Sequence, residues 1–185
     1  MLSPSFGITM PDVFRRLTPR SFVALCILLI FLPSLPRSAT YSQTPPASPI
    51  DQYKATGYVN DFAGMIDAKT QATLEEFCKQ LYKDKQTQLA IVTVVSLEGM
   101  PIKDFATQLF NRWGIGDKDT NRGVLILLSK NDHQYRIATG LGMESALTDE
   151  KCDRLGKEMV PLLHKGQYGD ALLQLVNHLA AEIQP

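Results

Sequence analysis

The apolar positions of this chain alternate between two periods, and each change of period marks a new element. From Ala68 to Lys85, Leu74, Phe77, Cys78, Leu81 and Tyr82 recur three and four residues apart, as on one face of an amphipathic helix. Asp67 stands where a capping side chain is wanted. Gln88 to Ser96 then carries Leu89, Ala90, Ile91, Val92, Val94 and Val95 almost without interruption, the signature of a strand covered on both faces. Ile102, Phe105, Ala106, Leu109, Phe110 and Trp113 return to helical spacing, with Pro101 at the first helical position and Gly114 at the end. Gly123 to Ser129 predicts a second buried strand, Asn131 and Asp132 a tight turn, and Tyr135 to Ala138 a third strand paired with the second as a hairpin. Thr148 opens a third helix running to about Leu163, and a last one begins near Tyr168 with Leu172, Leu173, Leu175, Val176 and Leu179 on its buried side. Helix, strand, helix, hairpin, helix, helix is the order of a layered α/β fold.

The amino-terminal segment follows a different logic. Arg15, Arg16 and Arg20 precede an apolar run from Phe22 to Leu32, and Pro33, Pro36, Ser38 and Ala39 follow it. That order predicts an export signal over residues 1–39, cleaved near Ala39 or retained as an amino-terminal anchor. The run is shorter than the ~20 apolar residues that span a bilayer. Residues 40–56 are rich in Pro, Ser, Thr and Gln without apolar period and read as a flexible linker. One domain is expected over residues 57–183, in a periplasmic, lumenal or extracellular setting, with no carboxy-terminal membrane anchor.

Loss of residues 1–39 would leave 15 basic and 18 acidic residues, with no basic stripe, so charge excludes nucleic acid as an expected partner. Cys78 and Cys152 would remain, both on predicted helices, and read as buried free thiols more readily than as a disulfide.

The densest chemistry lies between Trp113 and Gly123, where Asp117, Asp119 and Asn121 alternate in a glycine-flanked loop ahead of a strand. Alternating oxygen ligands with bendable backbone suit a hard cation, calcium or magnesium. The loop is not an EF-hand, since its sixth and twelfth places hold Arg122 and Leu128. Solvated turns use the same residues. The chain has no Gly-x-Ser-x-Gly elbow and no phosphate-binding glycine loop. His133, His164 and His178 read as surface or structural side chains.

Four segments taken together, Gly57 to Gly64 (GYVNDFAG), Trp113 to Gly116 (WGIG), Gly123 to Leu125 (GVL) and Gly140 to Glu144 (GLGME) with Leu147, Thr148 and Asp149, resemble the TPM domain family in order and spacing over about residues 57–183. The resemblance implies a three-layer α/β/α sandwich with a small mixed sheet, placed away from the cytosol and assisting a membrane-protein complex. It implies divalent-cation binding in some members and acid phosphatase activity, the hydrolysis of phosphate monoesters, in others. Carried over to this chain, it adds Asp61, Glu144 and Asp149 to Asp117 and Asp119 as candidate metal ligands converging at one rim. Asp61 could also hold a turn, and Asp149 could simply stabilise the start of its helix. Leu141 and Ser145 depart from the family pattern in the glycine turn.

Overall fold

The structure, a computed structural model, describes residues 48–184. The predicted export segment and residues 40–47 of the linker lie outside the described residues. The elements are β1 (Val59–Asp61), α1 (Ala68–Lys85), β2 (Gln88–Val94), α2 (Ile102–Trp113), β3 (Gly123–Ser129), β4 (Gln134–Thr139), α3 (Asp149–His164) and α4 (Tyr168–Glu182). Among the described residues no helix is long and apolar enough to cross a membrane.

The sheet runs in the order β1-β2-β3-β4, with β1, β2 and β3 parallel and β4 antiparallel to β3. Alternation along the strands divides the core. Leu89, Ile91, Val124 and Ile126 face one way, against Leu74 and Cys78 of α1, Leu155 and Met159 of α3, and Leu172 and Leu175 of α4. Ala90, Val92, Leu125 and Leu127 face the other, against Phe105 and Leu109 of α2. Burial on both faces is why β2 and β3 carry continuous apolar runs. The expected three-layer α/β/α sandwich is thus the observed one.

One aspect of the topology is unusual. The strands β1, β2 and β3 advance in one direction across the sheet, yet the first crossover helix, α1, covers one face and the second, α2, the other. Two crossovers advancing the same way on opposite faces have opposite hands, so one departs from the right-handed habit of parallel strands.

Helix ends follow the residues that announced them. The Asp67 carboxylate accepts from the N–H groups of Lys69 and Thr70 at 3.0 Å each, and Thr148 accepts from Lys151 N at 3.3 Å. Gly114 closes α2 in the left-handed region at φ 61°.

Two expectations are corrected. The stretch around Asp61, absent from the predicted element order, is an edge strand: Val59 and Asn60 are buried, and β1 pairs with Ile91 to Thr93 of β2. Glu75 of α1 makes this possible by accepting from the N–H groups of Tyr58 (2.9 Å) and Val59 (2.7 Å). The second correction concerns residues 48–56 of the linker, which are docked. Pro49–Gln52 form a 3-10 turn whose Ile50 is buried. Tyr53 packs its ring on Phe62 and Phe105 and accepts from the Trp113 indole N–H at 3.2 Å. Trp113 therefore clamps this segment and packs edge-on to Phe62.

Candidate functional site

The five candidate carboxylates do not gather at one rim. Asp61 ends β1 beside Thr93 of β2. The Asp117 loop enters β3 at Gly123, which lies beside Gln88, and Gly116 N donates to the Gln88 side chain at 2.8 Å. Thr93 and Gln88 are five residues apart on one strand, roughly 16 Å at the usual rise. Asp61 is thus at the carboxyl edge of the parallel strands, and Asp117 and Asp119 are at the amino edge. Among the described residues no group of three or more His, Cys, Asp or Glu side chains is arranged to hold a metal ion.

At the amino edge, the acidic loop meets the glycine turn through backbone. Gly142 N donates to Asn121 O at 3.2 Å and Gly140 N to Gly123 O at 2.9 Å. A Cβ on Gly142 would come within 2.0 Å of Thr120 O, and one on Gly140 within 2.3 Å of Asn121 O. That close approach is what the glycines are for. Loop oxygens that suggested a cation are partly committed: the Asp117 carboxylate accepts from Asp119 N at 2.9 Å and its carbonyl from Asn121 N at 2.7 Å. The Asp117, Asp119 and Glu144 side chains are exposed. Asp149, also exposed, starts α3 and lies 3.7 Å from Arg136 of β4.

At the carboxyl edge, carboxylates organise the backbone. Asp61 accepts from Met65 N (3.0 Å) and Ile66 N (2.9 Å) and from the Thr93 hydroxyl, fixing the turn that leads into α1. Asp132 accepts from the Ser129 hydroxyl and from Leu97 N at 2.8 Å. The Ser129 bond, and then the Leu97 bond, hold the Asp132 carboxyl below its ordinary range. Both carboxylates are structural ties.

Met65 and Ser129, which those carboxylates tie, line a hollow of about 670 Å³ between the β3–β4 hairpin, the turn after β1 and the α3–α4 junction. The volume suits a small organic ligand. Met65, Leu128, Val160 and Leu163 supply an apolar wall, and Tyr135 and Tyr168 add aromatic surface. Burial, followed by the charge of Asp153, pushes the Tyr135 hydroxyl up, so it stays protonated as a donor. Gly156 lets α3 lie directly over Tyr135, where a Cβ would meet the ring at 2.4 Å. The rim holds Lys130, His133, His164 and Lys165, all exposed, and among the described residues no Asp or Glu lines the hollow. Lys130 is steadied by Ala63 O at 3.3 Å.

Lys130 and Lys165 were not singled out from sequence, and His133 and His164 were read there as surface or structural side chains. His133 and Lys130 flank a hairpin turn, His164 is the last residue of α3 and Lys165 caps it. The usable signal was their position: both segments follow elements that run towards the carboxyl ends of the parallel strands, where α/β sheets present ligands.

The two free cysteines are buried, as expected. Burial pushes the Cys78 thiol up to about 12 and the Cys152 thiol up to about 11, so neither is a nucleophile.

Comparison with known proteins agrees with the architecture. A family profile described as the TPM domain matches residues 59–182. Two curated relatives, the UPF0603 proteins MT2410 and Rv2345 of two Mycobacterium tuberculosis strains, are each 22% identical over 136 residues. That match takes in 73% of this chain but 20% of each relative, so the chain spans about a fifth of their length. Among solved structures, the N-terminal domain of a P. gingivalis protein is 26% identical, with a TM-score of 0.64 over 69% of this chain and 82% of that one. The N-terminal domain of the cg2496 protein from Corynebacterium glutamicum is 15% identical, with a TM-score of 0.57 over 77% and 86%. The BA42 protein of Bizionia argentinensis is 14% identical, with a TM-score of 0.56 over 64% and 81%. The chain belongs to the TPM domain family.

Proposed function

We propose that this TPM domain works outside the cytosol as a ligand-binding module, and that it takes an anion in the hollow at the carboxyl edge of its sheet. One observation carries the reading: among the described residues Lys130, His133, His164 and Lys165 line that hollow and no carboxylate does. The extracytoplasmic setting rests on the order of Arg15, Arg16 and Arg20, the apolar run and the small residues at Ser38 and Ala39.

Phosphate monoester hydrolysis is the second reading, favoured by two histidines beside two lysines at the same rim. His133 or His164 would move the proton while the lysines bind phosphoryl oxygens. It has no accessible thiol among the described residues, since both cysteines are buried, and the Ser129 hydroxyl is held by Asp132. Binding without turnover needs fewer parts. Divalent-cation binding, the expectation from the acidic loop, would draw on the exposed carboxylates of the amino edge, Asp117, Asp119 and Glu144.

A single titration separates these readings. Phenyl phosphate added to the folded domain should move the backbone amide resonances of residues 128–135 and 160–168 without releasing phenol. Release of phenol that disappears in His133→Ala or His164→Ala would favour the hydrolase. A calcium titration that moved residues 116–122, with phenyl phosphate inert, would overturn the anion reading in favour of the cation.

A further inference from the structure

Resting on that reading of the hollow, we infer that the natural ligand is an anionic amphiphile: a single charged head at the basic rim and an apolar chain or ring in the body of the cavity. The two lysines and two histidines of the rim are all exposed to solvent. An exposed ion pair changes an affinity by about fivefold at most, and salt weakens it further. Such a rim selects the sign of a ligand but has no grip on a small inorganic anion. Holding power has to come from the wall.

The wall is suited to an apolar body. Leu128 is the penultimate residue of β3, a strand buried along its whole length, and Met65 is presented by the turn that Asp61 ties down. Val160 and Leu163 lie on the last turns of α3 and remain half-buried, so the hydrophobic stripe of that helix is left partly uncovered at this end. Each methylene buried against such a surface strengthens binding by about fourfold. Four methylenes therefore outweigh the whole contribution of a surface ion pair. The volume, about 670 Å³, accommodates a medium-length chain with its head group. The α3–α4 turn leaves an open mouth, since Gly166 has nothing within 4 Å of an added Cβ.

The test uses butanoate, hexanoate and octanoate as probes of increasing chain length, titrated below their micelle concentrations and followed through the same amide resonances. Affinity should rise at least twofold per methylene. Octyltrimethylammonium should bind at least tenfold more weakly than octanoate, and the doubly substituted Lys130→Glu, Lys165→Glu protein should lose or reverse that preference with unchanged thermal stability. Leu163→Asp should abolish the chain-length dependence; because it could also disturb folding, Leu163→Gln serves alongside it, with the amide spectrum reporting intact structure. A flat chain-length series while phenyl phosphate still moves the hollow amides would overturn the amphiphile and leave the anion reading standing. If neither probe moves them, both readings fall. Equal binding of octyltrimethylammonium also overturns the inference. The cavity admits one free molecule, so the domain should stay in the supernatant with phosphatidylglycerol vesicles, and co-sedimentation lost in Lys130→Glu, Lys165→Glu would assign the surface to a membrane instead.

Discussion

The two edges of the sheet use polar residues in opposite ways. At the amino edge, the Asp117 loop and the Gly140 to Glu144 turn close on each other through main-chain bonds, and their carboxylates project into water. At the carboxyl edge, the carboxylates of Asp61 and Asp132 turn inward to hold loops, and the surrounding chain stands apart to leave a hollow. An abundance of acidic side chains therefore marks the well-filled edge, while the open edge is rimmed with bases. Chemistry that looks rich in sequence is spent on closing a loop, and the space for a ligand lies elsewhere.

The contrast can be broken most severely at the amino edge. Gly142→Val should cost about 3 kcal/mol, the upper end of over-packing penalties, because its side chain would collide with the main-chain oxygen of Thr120. Urea denaturation measures it, and a change below 1 kcal/mol would mean that the two loops are not tightly apposed. Next in size, Asp61→Asn should lose about 1.5–3 kcal/mol, since hydrogen bonds from the Met65 and Ile66 amides to a charged acceptor are the stronger kind. The same variant should weaken ligand binding at the hollow through the displaced Met65 wall while leaving any calcium response untouched. A lost calcium response would return Asp61 to the role of a metal ligand.

Asp132 supplies a pH-dependent comparison. Its folded pKa is held below the ordinary 3.8, chiefly by Ser129. The stabilisation is thus fully present above 3.8 and is lost as the pH falls below it through the folded value. Acid unfolding of Asp132→Asn should accordingly be shallower than that of the parent over this window, as read by circular dichroism. Superimposable acid limbs would count against the tie to Leu97. The smallest effect is expected from Asp117→Asn with Asp119→Asn, within about 0.5 kcal/mol, as for exposed substitutions generally. Urea midpoints before and after added calcium would check it. A larger loss confined to the calcium-loaded protein would restore the acidic loop as a cation site.

Much of this architecture was legible because periodicity reports burial directly. The boundaries of α1, the run of β2 and the hairpin follow from spacing, and Asp67, Gly114 and Thr148 act at the ends they announce. What escaped depends on partners distant in sequence. Three residues of β1 carry too little pattern to be recognised, and they become a strand only because Glu75 completes their outer edge. Ile50 and Tyr53 sit in a Pro-rich stretch whose composition predicts no packing, yet Phe105 and Trp113 receive them. The candidate site failed for a related reason. Composition tells which residues can ligate, but only strand register tells which end of the sheet each occupies, and the register separates Asp61 from the loop it was expected to join.

The opposed hands of the two crossovers bear on where a binding cavity can arise. In a sheet whose strand order reverses, neighbouring connections diverge to opposite sides and open a crevice between them. Here β1 to β4 follow one another without reversal, and covering both faces was achieved by changing handedness instead. The connections leaving β1 and β2 therefore part to opposite faces even though the strand order never reverses. The hollow lies at the same carboxyl edge, between the hairpin and an overhanging helical corner.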